Sequence, residues 1–262
     1  MPPYFREAGS GEAVVCIHSN ASTSGQWRSL MDLLSPRWRV IAPDSLGAGK
    51  SPAWPHDCVV TLRDELTLLA PVFARAGSPM SLVGHSYGAA VALVAALAMP
   101  HRVRALAVYE PTLFSLLDQE APGHPAAAGI RNAVADAGAA IDANDPAAAG
   151  ARFIDYWMGE GTWRSMPESR QLAVAASMAN VRGWGHALLN DPTPLQAFSA
   201  LEIPVLCMIG ARSPPSSRAV SSLLTGVIPK VTVIEFPDLG HMGPLTHPAL
   251  VNEAVEQFLE RP

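Results

Sequence analysis

Two patterns of apolar residues alternate along most of the chain. Residues 13–17 form a continuous apolar run, as expected of a strand buried on both faces, and further strands are expected at residues 39–42, 105–109, 203–210 and 231–236. A further short strand is expected at residues 4–7. Between these runs the apolar positions recur every three or four residues, the spacing of one helix face. Trp27, Leu30, Met31 and Leu34 mark a helix over about 25–35. Thr61 and Asp64 have the spacing of a capping box for a helix running to about Arg75, which Pro71 is expected to kink. Residues 89–99 are almost free of polar side chains, as for a helix buried against a sheet, and further helices are expected near 218–224 and over 248–260. Strands that alternate with helices predict a parallel sheet.

From residue 112 to 200 this alternation stops. No strand-like run occurs, alanine is dense, above all at 126–150, and helical segments are separated by Pro and Gly. The segment reads as an inserted helical cap, which divides the chain into a core of residues 1–111 and 201–262 and a cap (lid) of residues 112–200. It holds Phe153, Tyr156, Trp157, Met158, Trp163, Met166, Met178 and Trp184. These side chains either pack the cap onto itself or roof a pocket.

Composition narrows the function classes. A chain of 262 residues can bury one large core, so a single α/β domain with an insertion is expected. A net charge of −5 leaves no basic footprint for nucleic acid or an anionic membrane. The first residues lack an apolar stretch of signal-peptide length, and no segment reaches the length of a membrane span, so a cytoplasmic protein is expected. Cys16, Cys58 and Cys207 lack metal-ligand spacing, and two of them fall within apolar runs, which points to core packing.

The candidate chemistry lies at residues 79–90, where an apolar strand runs into a sharp turn and then a small-residue helix. Gly84 and Gly88 flank Ser86 at two residues on either side. This G-x-S-x-G spacing suits a nucleophile elbow, whose strained backbone leaves no room for bulk beside the serine. The amide of Tyr87 and the helix start are then directed at the place where an oxyanion would develop.

With three further motifs in the right order, the chain resembles an α/β-hydrolase over nearly its whole length outside the cap. His18-Ser19-Asn20 stands where that family has a His-Gly-x loop, residues 44–51 match D-x-x-G-x-G-x-S, and His241 follows the last strand in a Gly-His pair. The resemblance implies an α/β-hydrolase fold: a mostly parallel central sheet flanked by helices, with an inserted helical cap. It implies Ser86 as nucleophile, His241 as general base, and an oxyanion hole made by the backbone N–H groups of Tyr87 and Asn20, with Ser19 replacing the more usual Gly. His18, His85 and His247 are expected to be supporting or capping groups.

The third catalytic partner departs from the family pattern. Ser213 stands where an Asp is usual, and residues 203–234 contain no Asp or Glu. Glu110, at the end of the strand after the elbow helix, preserves the chain order Ser, acid, His. Two alternatives stand beside it: a Ser-His dyad in which Ser213 orients His241, and another carboxylate such as Asp118. Asp238 reads as a turn residue.

The function expected is that of a serine hydrolase cleaving a small to medium, largely apolar carboxylic ester or related acyl substrate through an acyl-enzyme. It needs no cofactor and no metal, and its partner is a small-molecule acyl substrate. One alternative is a carbon–carbon bond hydrolase or lyase using the same Ser-His pair; another is a non-enzymatic ligand-binding module with a degenerate triad. No motif speaks to oligomeric state.

Overall fold

A computed structural model describes residues 2–54 and 59–260, so Cys58 lies outside the described residues. Seven strands form one sheet: β1 (Phe5–Ala8), β2 (Ala13–Ile17), β3 (Arg39–Pro43), β4 (Met80–His85), β5 (Val103–Tyr109), β6 (Val205–Gly210) and β7 (Val231–Phe236). Their order is β1-β3-β2-β4-β5-β6-β7. Only β1 runs antiparallel to its neighbour; every other pair is parallel. Every residue of β2, β4 and β6 is buried, and β2 and β6 carry no charged or hydroxyl side chain. β7 closes one edge, and its residues are half-buried or exposed.

Helices cover both faces. On one side α1 (Arg28–Leu34) and the final helix, residues 248–259, pack on Val14, Cys16, Val40, Val83 and Leu206. On the other, α2 (Leu62–Ala76), α3 (Tyr87–Ala98) and the helix at residues 215–227 pack on Val15, Ile17, Leu82 and Leu106. The capping box of α2 is formed: the Thr61 hydroxyl accepts from the Asp64 amide, and the Asp64 carboxylate accepts from the Thr61 amide at 2.8 Å. The helix continues past Pro71 to Ala76. The segment expected as one helix over 25–35 begins instead as a 3-10 turn, Ser24–Trp27, before α1. α3 starts two residues earlier than its apolar pattern suggests, because Ser86 completes the turn and Tyr87 is already helical.

Between β5 and β6 the chain is wholly helical or looped: α4 (Ser115–Glu120), α5 (Pro125–Asp142), α6 (Pro146–Met158), α7 (Thr162–Ser165), α8 (Glu168–Ser177) and α9 (Val181–Leu189), with two 3-10 segments. α5 and α6 both start with Pro, where a missing N–H loses no helical bond. The Asp145 carboxylate caps α6 by accepting from the Ala148 amide at 2.9 Å. α10 (Pro215–Val227), α11 (Gly243–Thr246) and α12 (Pro248–Leu259) complete the chain; α10 is longer at both ends than the expected 218–224.

Polar contacts fasten the helices between β5 and β6 to the rest. Asn180 donates to the Gly47 carbonyl at 3.1 Å, and the hydroxyls of Tyr156 and Ser216 meet at 2.7 Å. Trp54 lies so close to Gly183 that any Cβ there would meet its ring at 2.3 Å. Cys16 and Cys207 are buried free thiols, and burial pushes Cys207 up to about 12. Among the described residues no helix is long and apolar enough to cross a membrane.

Candidate active site

The elbow follows from the backbone. Ser86 has φ 56° and ψ −116°, a left-handed conformation that a residue with a Cβ rarely adopts. The two flanking glycines make it possible: a Cβ on Gly84 would lie 2.5 Å from the Gly88 carbonyl oxygen, and one on Gly88 would lie 2.2 Å from the Ile17 carbonyl oxygen. The strand, turn and helix therefore close on one another only with hydrogen at both positions. Because Tyr87 is the first residue of α3, its N–H has no acceptor within the helix. That amide is available beside Ser86.

Strand register brings Glu110 close to Ser86. β4 and β5 are parallel, with His85 level with Tyr109, so Ser86 and Glu110 leave neighbouring strands at the same height. Glu110 also has a left-handed φ of 44° and is wholly buried. One carboxylate oxygen accepts from the Gly210 amide at the end of β6, at 2.7 Å; the other lies 2.6 Å from His241 Nδ1. His241 Nε2 is 2.9 Å from Ser86 Oγ. Since a carboxylate can only accept, Nδ1 carries the proton and Nε2 presents its lone pair to the serine hydroxyl.

His241 reaches this place from the far edge of the sheet. The loop after β7 folds back over the end of β6, where Gly210 lets the Leu239 carbonyl approach to within 2.6 Å of where a Cβ would be. The Arg212 amide donates to that carbonyl, and the Tyr109 hydroxyl donates to the Gly240 carbonyl at 2.8 Å. Burial pushes the Glu110 carboxyl up, but the His241 hydrogen bond and charge, with help from Ser213 and the Gly210 amide, outweigh it and hold Glu110 below the usual carboxylate value. The Ser213 hydroxyl sits near enough to contribute, yet makes no hydrogen bond of normal geometry. His241 Nδ1 thus meets Glu110 and not Ser213. Asp118 is ion-paired with Arg131, and Asp238 with Arg212, so neither is engaged by the histidine.

The other histidines separate by role. His85 Nε2 faces the His241 carbonyl oxygen at 2.8 Å and must donate to it; its Nδ1 then accepts from the Gln26 amide nitrogen at 3.2 Å. The Gln26 carbonyl oxygen in turn accepts from both the amide and the hydroxyl of Ser19, at 3.2 and 3.0 Å. One continuous chain of bonds therefore joins the loop bearing Asn20 to the loop bearing His241. Burial, then the neighbouring His241, holds His85 well below the usual histidine value, so it stays neutral and the donor directions along the chain are set. His18 Nε2 accepts from the Ser45 amide at 2.9 Å, with Nδ1 directed at the Ser19 carbonyl. His247 is exposed at the start of α12, but its ring bonds to the Thr246 hydroxyl and caps no helix. The Asp44 carboxylate receives the Ser24 and Lys50 amides, so residues 44–51 act as a folded support.

Two of these partners are missing from the sequence reading. Gln26 has no motif. Glu65 carries a signal: it occupies the buried stripe of α2 formed by Leu62, Leu69, Val72 and Phe73, where a charge is out of place. Its carboxyl accepts from the Tyr87 hydroxyl and the Leu46 amide, both at 3.0 Å, and burial raises it to about 7.

Ser86 and His241 open into a chamber of about 290 Å³. Phe153, Trp157, Met158, Met166 and Val174 of the inserted helices form its apolar wall, with Asn20, half-buried, at the serine side. The Trp157 ring stacks on His241 with centroids 3.9 Å apart and planes 24° apart. A second, narrow recess of about 20 Å³ also touches Ser86 and Asn20. The large apolar residues of the insertion therefore divide. Phe153, Trp157, Met158, Met166 and Trp184 line space beside Ser86, whereas Met178 is fully buried in the core and Trp163 packs against Gly150. Among the described residues no group of three or more His, Cys, Asp or Glu side chains could hold a metal ion.

Known proteins resemble the chain over all or part of its length. A family model described as the alpha/beta hydrolase fold matches residues 12–248. The (E)-2-((N-methylformamido)methylene)succinate hydrolase of Acinetobacter baylyi is 24% identical over 273 residues, covering 98% of this chain and 94% of that one. The 2-hydroxy-6-oxo-2,4-heptadienoate hydrolase of Pseudomonas putida is 35% identical over 106 residues, a match that spans 39% of this chain and only 38% of the relative. Among solved structures, a thermophilic esterase from Thermogutta terrifontis superimposes with a TM-score of 0.77 at 24% identity, covering 98% of this chain and 92% of that one. With a family match over nearly the full length and a seven-stranded sheet of the same architecture, this chain belongs to the α/β-hydrolase fold family.

Proposed function

We propose that this hydrolase cleaves small to medium, largely apolar carboxylic esters or related acyl compounds through an acyl-enzyme on Ser86. The reading rests on one observation: Ser86 Oγ, His241 and Glu110 form a buried chain of bonds of 2.9 and 2.6 Å that opens into a chamber with one aromatic and aliphatic wall. A serine hydroxyl is a poor nucleophile until an imidazole accepts its proton during attack. His241 Nε2 would take that proton, and the buried Glu110 carboxylate would stabilise the imidazolium while keeping Nδ1–H in place. The Tyr87 and Asn20 amides would hold the developing oxyanion. His241 would then return its proton to the departing alkoxide, and water, activated by the same histidine, would release the acid. The helices of residues 112–200 act in this reading as a cap that excludes water from the chamber.

Hydrolysis of a carbon–carbon bond beside a ketone needs the same three residues. It is kept as a second reading because the Pseudomonas putida relative is named for hydrolysis of an oxo-dienoate. A serine-directed fluorophosphonate is expected to label the wild type and not Ser86→Ala; absence of labelling in the wild type would sink both readings. Turnover of p-nitrophenyl esters against that of a vinylogous diketone separates them, with the ester expected to be the faster substrate.

A further inference from the structure

The two spaces beside Ser86 differ in which catalytic groups they touch. The chamber is bounded by Ser86, Asn20 and the base loop, namely His241, Met242 and Leu245. The recess is bounded by Ser86 and Asn20 and by no residue of the base loop. In ester cleavage the proton taken from Ser86 must pass from His241 Nε2 to the alkoxide oxygen that leaves, so the alcohol has to lie on the histidine side. The acyl carbon stays on Ser86 and its oxygen in the oxyanion hole, which leaves the other side for the acyl chain.

We propose, building on the ester-hydrolase reading above, that the recess is the acyl pocket and restricts the acyl group to a short chain, while the chamber accepts a larger alcohol. The chamber, at about 290 Å³, is more than ten times larger than the recess, at about 20 Å³. The walls of the recess resist widening. Phe114, Ile130, Phe153, Trp157, Trp184 and Leu188 are each buried, and the four rings lock together: Phe114 stacks on Trp157 at 6.3 Å between centroids, and Phe153 packs against both Trp157 and Trp184. Close-packed walls of this kind pass strain on to their neighbours, so a longer chain would have to displace several side chains at once.

The test is a pair of ester series on the wild-type protein. Along p-nitrophenyl esters from acetate to octanoate, kcat/KM is expected to be highest at acetate or propionate and to fall about 100-fold by hexanoate, the scale on which a pocket rejects added methylenes. Along alkyl acetates of similar leaving-group pKa, from ethyl to 2-phenylethyl, it is expected to hold or rise. Leu188→Ala, which enlarges the recess, is expected to raise the butanoate-to-acetate ratio about tenfold. A wild-type preference for hexanoate over acetate overturns the proposal, as does a folded Leu188→Ala protein with an unchanged ratio. The wild-type profile stands by itself should that variant fail to fold. Both outcomes leave Ser86-dependent ester turnover intact. If no ester is turned over in a Ser86-dependent manner, the ester reading falls and the acyl-pocket assignment with it.

Discussion

The two halves of the candidate site are made of different materials. Beneath Ser86, at the ends of β4, β5 and β6, the groups are polar, buried and bound in sequence: Gly210 to Glu110, Glu110 to His241, His241 to His85, His85 to Gln26, Gln26 to Ser19. Above it, the walls from α6, α8 and α9 are mainly aromatic and aliphatic, with Arg170 of α8 also on the chamber, and they enclose space of two sizes. A buried polar group must be paired, because an unpaired one costs about 1–3 kcal/mol. The lower half is therefore fixed in geometry. An apolar wall needs only to be filled, so many side chains would serve, and the upper half is where selectivity can vary without loss of the chemistry.

This contrast yields an ordered set of expectations. The largest effect is expected below: Glu110→Gln keeps the shape but not the charge, and kcat should fall on the order of 10⁴-fold, the scale seen for the acid of such triads. Steady-state kinetics on a variant shown to be folded measures it, and a loss under tenfold would remove Glu110 from the mechanism. Introducing Ser213→Asp into that variant asks whether the end of β6 can supply the carboxylate instead; a partial recovery of kcat is expected, since Ser213 already sits beside Glu110.

Trp157→Ala strips the roof from the His241 ring. A displaced catalytic group of this kind loses about 10²-fold. The expected fall in kcat/KM is about 10- to 100-fold, together with a flatter acyl-length profile, because the same ring walls the recess. A tenfold loss spread evenly over all substrates would instead reduce Trp157 to an orienting role.

Gln26→Ala breaks the link between the Asn20 loop and the base loop. Loss of an oxyanion donor lowers kcat by about 10²–10³-fold. Displacement of one should do less, about tenfold, with KM unchanged, as the interaction is made only in the transition state. A matched rise in KM would place Gln26 in substrate binding.

Glu65→Gln is expected to have the smallest effect, and on stability. Glu65 at about 7, above its usual 4.5, holds a proton in the folded chain that the unfolded chain has already released. Its contribution is therefore present in full below about pH 4.5 and is lost as pH rises through about 7. Between pH 5 and pH 8 the wild type should lose thermal stability relative to Glu65→Gln, by about 2–4 °C for each kcal/mol involved. Thermal denaturation of both proteins across that range measures the difference, and parallel curves would show that Glu65 does not titrate there.

Sequence and structure divide along physical lines. The strands, α2 with its cap, the elbow and the Gly-His pair are readable because each depends on residues within a few positions of one another: a run without a polar face, a Thr three residues before an Asp, two glycines around a serine. The run of helices between β5 and β6 is equally visible as a break in the alternation. The assignment of its aromatics to pocket wall or core is not, because helical spacing says that a face is buried without saying against what.

The partner of His241 is decided one level higher. Glu110 and His241 are 131 residues apart, and they meet because β5 lies beside β4 with His85 level with Tyr109, and because Gly210 admits the loop after β7. Gln26 depends in the same way on two loops folding toward one histidine. Local chemistry is written in neighbouring residues and determines which elements form and which turns can carry a nucleophile. Which carboxylate, amide and ring come to rest beside Ser86 is set by strand order and register, and these exist only once the sheet has assembled.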